Sequence, residues 1–169
     1  MKTLLLFRHA KSDWGDAGLP DFDRPLNQRG RKAAERMGCW MKESHIQPEW
    51  IVSSPAQRAV ETVAGLRKHL EIPDTLVQFD ERIYMADVPT LLDVAARCPE
   101  DMNSIMLVGH NPAMDNLLTW LCGPDLPRSN KGKLMATATL AQINMPDDWQ
   151  QLAPNCGKLQ QIVRPGEID

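Results

Sequence analysis

The sequence predicts one α/β domain, a three-layer α/β/α sandwich with a mainly parallel central sheet. Two observations predict it. Short apolar runs alternate with amphipathic helical segments along almost the whole chain, and several of those runs are apolar on both faces. Repeated strand–helix units of this kind place helices on both faces of a parallel sheet. The length of 169 residues, 43% of them hydrophobic, suits a single domain over 1–169 with a sizeable core.

The first half of the chain predicts two strand–helix units. Residues 4–7 are a continuous apolar run, as expected of a strand covered on both faces. A helix follows at Gln28–Glu43, because its apolar residues recur on one face. Residues 51–52 predict a short strand, and 55–70 predict a second amphipathic helix.

The second half continues the alternation. Residues 76–79 predict a strand and 87–97 a helix. The run at 105–108 is the clearest buried strand after the first one, and the helix at 113–121 follows it. The last predicted elements are two strands joined by a proline-containing loop, 134–145 and Lys158–Val163.

Composition excludes several classes of function. A formal net charge of -3 argues against a nucleic-acid-binding protein, which normally carries a basic surplus. The chain has no apolar run near the roughly 20 residues that span a bilayer, so no membrane association is expected. Its first residues predict a strand rather than a signal peptide. Four scattered cysteines without a C-x-x-C pair indicate reduced thiols in a cytoplasmic protein, with no disulfide framework or zinc site.

The carboxyl ends of three predicted strands carry residue types suited to phosphate. Arg8 and His9 follow the first strand, Arg58 lies shortly after the second, and His110 follows the strand at 105–108. Ligands of parallel α/β sheets bind beyond the carboxyl ends of the strands. Arginine matches phosphate oxygens with two parallel hydrogen bonds. A single histidine after a strand is more often structural, but two histidines and two arginines at three strand ends favour a catalytic phosphate site.

Two of these strand ends predict helix starts that would favour an anion. Ser54 is a candidate N-cap, Pro55 suits the first helical position, and Gln57 would complete a capping box. Asn111 and Pro112 repeat the arrangement of a capping side chain followed by proline. Free amides and the positive end of the helix dipole favour a bound anion at such a start.

These motifs carry a resemblance to a known family. Arg8-His9-Ala10 resembles the Arg-His-Gly signature of the histidine phosphatase superfamily, branch 1, which includes phosphoglycerate mutases and acid phosphatases. The segments SSPAQRAVET and VGHNP resemble its second arginine and second histidine motifs, and DRPLNQRG is most similar to SixA-type phosphohistidine phosphatases. Ala10 replaces the usual glycine, and a small residue still fits close to phosphate. The resemblance covers most of the chain and implies a phosphoglycerate mutase-like fold.

The resemblance also implies a mechanism without metal or cofactor. His9 would attack phosphorus and become phosphorylated, and water would then hydrolyse the intermediate. Arg8, Arg24 and Arg58 would hold the phosphoryl oxygens, and His110 would donate a further hydrogen bond; a phosphate or sulfate ion is expected to fit the same place. An imidazole attacks only when it is neutral, and the clustered guanidinium groups are expected to keep His9 in that form.

Some assignments stay open on the residues alone. Arg24 could bind phosphate or simply pair with Asp21 or Asp23 in its loop. Glu81 is the best candidate for a general acid, or else a surface carboxylate. The basic loop at 123–133 could contact an acidic partner, although such a loop is more often a solvated connection.

The leaving group separates the candidate substrates. Phosphohistidine has a labile P–N bond, whereas an alkoxide needs a proton from a general acid. No lid-sized insertion separates Arg58 from His110, and an open site suits a phosphohistidine that protrudes from a partner protein of the histidine phosphotransfer or phosphocarrier type. The alternatives are a broad phosphomonoesterase that acts on small phosphate esters with Glu81 as its acid, and a catalytically silent module that binds phosphorylated partners. The lack of an enclosing insertion disfavours a mutase.

Overall fold

Six strands form one mixed sheet in the computed structural model, which describes residues 1–168. The order across the sheet is β3-β2-β4-β1-β5-β6. Parallel pairing joins β1 to β4, β4 to β2, and β2 to β3, whereas β5 runs antiparallel to both β1 and β6. The strands are β1 (Lys2–Arg8), β2 (Trp50–Ser53), β3 (Val77–Phe79), β4 (Ser104–Gly109), β5 (Leu140–Met145) and β6 (Lys158–Val163).

Within residues 1–168, four α-helices cover the two faces of this sheet. They are α1 (Gln28–Glu43), α2 (Gln57–Arg67), α3 (Val88–Ala96) and α4 (Ala113–Cys122). Because side chains alternate along a strand, Leu4 and Leu6 of β1 pack with α3 and α4, whereas Leu5 and Phe7 pack with α1 and α2. The predicted three-layer sandwich with a mainly parallel sheet is therefore confirmed. No helix within residues 1–168 combines the length and the apolar character needed to cross a membrane.

The register of the sheet sets three strand ends side by side. Arg8 pairs with Gly109 across β1 and β4, and Ser53 pairs with Val108 across β2 and β4. The residues that come next, His9, Ser54 and His110, therefore leave neighbouring strands at the same edge. This edge is the one that sequence analysis assigned to a ligand.

The first strand of the last pair is shorter than predicted, whereas the second has the predicted bounds. Strand β5 begins at Leu140 rather than at residue 134. Ala138 has a left-handed backbone (φ 57°), and its N–H lies 3.0 Å from the carbonyl oxygen of Arg8 and 3.1 Å from that of His9. The segment 134–139 therefore turns over the end of β1 instead of continuing the ladder.

Two other predicted boundaries were also wrong. Helix α2 begins at Gln57, and its N-cap is Ala56, which has no capping side chain. The Ser54 hydroxyl accepts a hydrogen bond from the Ala56 amide at 3.2 Å, so it stabilises the turn before the helix. Residues 74–76 form a 3-10 turn, which shortens β3 to Val77–Phe79.

Candidate active site

The two strand-end histidines lie together and are buried. The ring centroids of His9 and His110 are 5.0 Å apart, and only 7% and 8% of these residues is exposed. The His9 backbone N–H donates to the Gly109 carbonyl at 3.0 Å, which extends the pairing of β1 and β4 by one residue. The parallel register therefore holds both imidazoles at the sheet edge.

The tautomer of His9 follows from one hydrogen bond. Its Nδ1 lies 2.7 Å from the Ala10 carbonyl oxygen. A carbonyl oxygen can only accept, so Nδ1 carries the hydrogen and the neutral ring has its lone pair on Nε2. The Ala10 amide in turn donates to Thr62 Oγ1 at 2.9 Å, which fixes the carbonyl that orients the ring. Nε2 is therefore the ring nitrogen with a free lone pair.

Burial keeps His9 in its neutral form. Its pKa is lowered from 6.5 to about 3, first because burial removes the imidazolium from water. The bond to Ala10 opposes this effect, while His110, Arg58 and Arg8 lower the pKa further, in that order. The expectation that clustered guanidinium groups keep the ring neutral was correct in direction, but burial contributes more.

Ser54 sets the tautomer of His110. His110 Nε2 lies 2.8 Å from Ser54 Oγ, and that oxygen already accepts from the Ala56 amide. Because the bond from the Ala56 amide leaves the hydroxyl hydrogen free, Ser54 can donate to Nε2, and the ring hydrogen of neutral His110 then lies on Nδ1. Burial, followed by the charge of Arg58, lowers the pKa of His110 to about 4. The ring is therefore neutral at pH 7 and presents an N–H donor.

Three buried nitrogens at this edge have no hydrogen-bond partner. Within residues 1–168, four buried side-chain polar atoms are in that condition: Arg8 Nε, Arg58 Nε, His110 Nδ1 and Thr139 Oγ1. The three nitrogens belong to residues that the sequence assigned to phosphate. A buried donor without an acceptor typically costs about 1–3 kcal/mol. An anion with several oxygens would supply acceptors for these donors.

Different groups hold the guanidinium tips of Arg8 and Arg58. Arg8 Nη1 donates to the Met135 carbonyl at 3.0 Å, and burial lowers the pKa of Arg8. Arg58, the second residue of α2, donates from Nη1 to the Asp21 carbonyl at 2.7 Å and from Nη2 to Asp21 Oδ2 at 3.0 Å. Each guanidinium is thus oriented by its tip, while its Nε remains without a partner.

The structure brings Arg24 to the same place. Its guanidinium bonds the Ser12 hydroxyl and lies 2.6 Å from Asp21 Oδ1, and the Trp14 ring lies 3.6 Å from its Cζ. A bridge between Ser12 and Leu26 holds this loop against the segment that follows His9. Both hypotheses for Arg24 are therefore compatible with the geometry, because it pairs with Asp21 and its charge also acts on His110.

Helix α1 approaches that segment closely at a glycine. A Cβ on Gly30 would lie 2.1 Å from the Lys11 carbonyl oxygen, so no other residue fits there without a shift of the backbone. Asn27 caps the helix by accepting from the Gly30 amide at 2.8 Å, and its own N–H donates to the Lys11 carbonyl at 3.0 Å. The sequence DRPLNQRG therefore anchors the loop that carries Arg24.

Asp21 connects the arginines to Tyr84. Its carboxylate accepts from Arg24, from Arg58 and, at 2.7 Å, from the Tyr84 hydroxyl. These bonds hold the pKa of Asp21 well below its usual range, with Arg24 as the largest cause and Tyr84 as the next. The bond to Asp21 raises the pKa of Tyr84, whose ring packs edge-on against His110 with centroids 5.5 Å apart. Asp21 therefore stays ionised beside the histidines.

The sequence patterns did not indicate Tyr84 or the bond from Ser54 to His110, and they indicated Asp21 only as a partner of Arg24. The position of Asp21 three residues before Arg24 was a usable signal. Tyr84 follows a 3-10 turn and stands outside every motif, so no pattern in the sequence indicated it.

Glu81 lies outside this network of bonds. It is exposed and opens the 3-10 turn Glu81–Ile83 that leads to Tyr84. Its neighbour Arg82 pairs with Asp80 at 2.8 Å and with Asp93 at 2.6 Å. Among residues 1–168, no three His, Cys, Asp or Glu side chains are grouped so that they could hold a metal ion.

Comparison with known proteins gives a consistent family and fold. Residues 4–87 match the family model of the histidine phosphatase superfamily (branch 1). An uncharacterized protein of Mycobacterium tuberculosis is 30% identical over 156 residues, which cover 90% of this chain and 95% of that protein. The phosphohistidine phosphatase SixA of Escherichia coli is 27% identical over 141 residues, which cover 80% of this chain and 88% of that protein.

A solved structure matches almost the whole chain. It comes from Agrobacterium tumefaciens and is provisionally assigned as the phosphohistidine phosphatase SixA. The TM-score is 0.81 at 29% identity, over 98% of this chain and 99% of that chain. The superposition confirms the fold that the sequence resemblance implied.

Proposed function

Because the chain belongs to the histidine phosphatase superfamily (branch 1), we propose that it hydrolyses phosphohistidine on a partner protein through a phosphoryl intermediate on His9. One observation carries the proposal. The unprotonated Nε2 of His9 belongs to a ring that lies beside His110 and within reach of the charges of Arg8 and Arg58. Within residues 1–168, one buried nitrogen of each of these three residues has no hydrogen-bond partner. This arrangement combines a nucleophile with donors for the oxygens of a phosphoryl group.

The first step transfers the phosphoryl group to His9. The Nε2 lone pair attacks phosphorus, a new P–N bond forms, and the P–N bond of the substrate breaks. The substrate leaves as neutral imidazole when its other ring nitrogen carries a proton. Water then attacks the phosphorylated His9, breaks the new P–N bond and releases inorganic phosphate. The hydrogen bond from His9 Nδ1 to Ala10 keeps the ring in one orientation through both steps.

The surrounding donors stabilise charge on the phosphoryl oxygens in the transition state. The Nε–H groups of Arg8 and Arg58 and the Nδ1–H of His110 are free to donate to the equatorial oxygens. Arg24 adds a cation beside them and remains oriented by Asp21 and Ser12. Phosphoryl transfer depends chiefly on such positioning and electrostatic stabilisation, and preorganised donors act most strongly where water is excluded. Protein cations supply this charge, so the proposed step uses no metal.

The protonation states favour phosphohistidine over an ester as the substrate. An alkoxide leaving group needs a general acid. Asp21 is ionised at neutral pH because its pKa is held far below the usual range, and His110 is neutral, so neither residue is a ready acid. Glu81 is exposed and outside the network. A substrate whose leaving group requires little protonation suits this site best.

A binding module without activity would not need the arrangement around His9. Capture of a phosphate requires cations and donors, which the arginines alone provide. The bond that sets the tautomer of His9 and the burial that lowers its pKa both favour a free lone pair at Nε2. These features support turnover rather than capture.

The test compares leaving groups in one enzyme. Initial rates are measured on a phosphohistidine protein and on aryl and alkyl phosphates, with wild type, His9→Ala and Glu81→Gln. We expect the phosphohistidine protein to be the best substrate, His9→Ala to abolish turnover of every substrate, and Glu81→Gln to change the phosphohistidine rate by less than about twofold, since that leaving group needs little acid catalysis.

Other outcomes separate the alternatives. Preference for esters, with an ester rate that falls in Glu81→Gln, would identify a small-molecule phosphomonoesterase. Phosphate binding without turnover of any substrate would identify a binding module. Wild-type activity in His9→Ala would refute the mechanism itself.

A further inference from the structure

A groove of about 430 Å³ opens beside the proposed active site. Three separate parts of the chain line it: Lys11 after the first motif, Arg29 in the first turn of α1, and the loop that carries Lys131 and Lys133. The histidines and Asp21 are not part of its wall. The groove is thus a surface of its own, and the substrate chemistry described above does not use it.

Four of the five cations that line this groove carry no ion pair within residues 1–168. Across residues 1–168, the salt bridges do not include Lys11, Arg29, Lys131 or Lys133, and all four side chains are exposed. The fifth cation, Arg164, is buried and pairs with Glu167 at 3.2 Å. The whole chain has a net charge of -3, so a concentration of unpaired positive charge is unusual for its surface. Such a patch attracts negatively charged partners.

The groove and the histidines share a wall. Ala136 and Thr137 line the groove, and the next residue, Ala138, donates to the backbone carbonyls of Arg8 and His9. Lys11 stands two residues after His9. A substrate that places its phosphoryl group at His9 therefore extends past the groove with its neighbouring residues.

Exposed apolar side chains lie around the rest of the site. Trp14, against Arg24, is 75% exposed, and Met85, next to Tyr84, is 85% exposed. Phe22 packs edge-on against Tyr84 with centroids 5.1 Å apart and is still 37% exposed. Aromatic and methionine side chains of this kind are enriched in protein–protein interfaces. A small phosphate ester would leave them uncovered, so the surroundings of the site suit a protein.

We propose that this groove binds an acidic segment of the phosphorylated partner protein, next to its phosphohistidine. The inference rests on the proposed function and names the chemistry of the partner. The groove supplies Lys11, Arg29, Lys131 and Lys133 to carboxylates of the partner, while Trp14 and Met85 contact its apolar surface. Selectivity for one phosphoprotein over another then depends on charge outside the reaction centre.

The experiment uses two phosphohistidine peptides of equal length. In one the phosphohistidine is flanked by glutamate and aspartate, and in the other by glutamine and asparagine. The test variant is Arg29→Glu/Lys131→Glu, which reverses one charge on each side of the groove. The control is Lys42→Glu/Lys158→Glu, the same change in net charge at the end of α1 and the start of β6, at the opposite edge of the sheet.

We expect wild type to prefer the acidic peptide by about tenfold in kcat/KM at low salt, through electrostatic attraction. The test variant should lose that preference and keep wild-type kcat/KM on the neutral peptide, and the control variant should retain the preference. About 0.5 M salt should reduce the wild-type preference, because it shortens the Debye length well below 10 Å.

The outcomes show separately whether the groove binds the acidic segment and whether the proposed function holds. Equal rates on both peptides in wild type, or an unchanged preference in the test variant, would overturn the groove as a docking site and leave the proposed function intact. Loss of the preference in the control variant would also overturn it, because net charge would then be the cause. Failure of wild type to hydrolyse either peptide would overturn the proposed function and this inference with it.

Discussion

Acid should destabilise this protein through its two site histidines. The pKa of His9 is about 3 and that of His110 about 4 in the folded chain, against 6.5 when each is exposed. The unfolded chain therefore binds more protons than the folded chain as pH falls below 6.5. The free energy of unfolding is unaffected above that pH and decreases as pH falls from 6.5 toward the folded values.

The size of the loss follows from these values. At pH 5 an unfolded histidine is almost fully protonated, whereas His9 and His110 in the folded chain are almost fully neutral. For each ring, pH 5 lies about 1.5 units below the unfolded pKa of 6.5. At about 1.36 kcal/mol per unit, each ring lowers the free energy of unfolding by about 2 kcal/mol. The two rings together give about 4 kcal/mol relative to pH 8, a large share of the 5–15 kcal/mol that is typical of a domain.

Urea denaturation in phosphate-free buffer at pH 8 and pH 5 measures this loss. The double variant His9→Gln/His110→Gln should lose about 4 kcal/mol less than wild type between the two pH values, because glutamine does not titrate. The control His45→Gln/His69→Gln changes the two histidines outside the site and should lose as much as wild type. An equal loss in wild type and the site double variant would refute the burial of neutral imidazoles.

Two further predictions concern positioning and the loop anchor. Ser54→Ala should reduce kcat by about tenfold or more with little change in KM, as loss of a preorganised donor does. Nitrogen NMR of this variant should show that the proton of His110 is no longer confined to Nδ1. A wild-type tautomer and a wild-type rate would contradict the role given to Ser54. Gly30→Ala should lower the free energy of unfolding by about 1–3 kcal/mol, because the Cβ of the new alanine meets the Lys11 backbone. Gly166→Ala is the neutral control, since a Cβ at that position has no atom within 4 Å. Equal stability of the two variants in urea denaturation would contradict the close approach.

Local sequence was sufficient to predict which side chains of the candidate site lie at strand ends. Buried parallel strands consist of apolar runs, and each run ends where a polar residue follows, so Arg8, His9 and His110 could be assigned to strand ends. Parallel pairing then requires neighbouring strand ends to meet at one edge. The rings of His9 and His110, 101 positions apart in the sequence, lie 5.0 Å from each other for this reason.

The same sequence patterns could not predict contacts between loops. Tyr84 reaches Asp21 because a 3-10 turn after β3 aims it across the site, and no periodicity encodes that direction. Serine is a residue type favoured at helix N-caps, but α2 begins at Gln57, later than Pro55 would suggest. The Ser54 hydroxyl instead bonds both the Ala56 amide and His110. Tertiary contacts therefore decided between two plausible local structures.

The boundary of β5 failed for a related physical reason. Residues 134–139 are rich enough in apolar and β-branched side chains to predict a strand. The Met135 carbonyl instead accepts from the Arg8 guanidinium, and the Ala138 amide donates to the carbonyls of Arg8 and His9. The same turn forms the wall between the active site and the groove. The sequence therefore indicated the basic loop at 123–133, but not that Lys11 and Arg29 lie beside it.

Trapping the phosphoenzyme tests the central chemistry most directly. Wild type is mixed with a phosphoryl donor, quenched in alkali, and the phosphorylated residue is identified by mass spectrometry after digestion under neutral or alkaline conditions. We expect a phosphoryl group on His9 that forms and decays at rates compatible with turnover, and none in His9→Ala. Turnover with the label on another residue, or a label on His9 that does not decay in the course of turnover, would contradict the nucleophilic role of this imidazole.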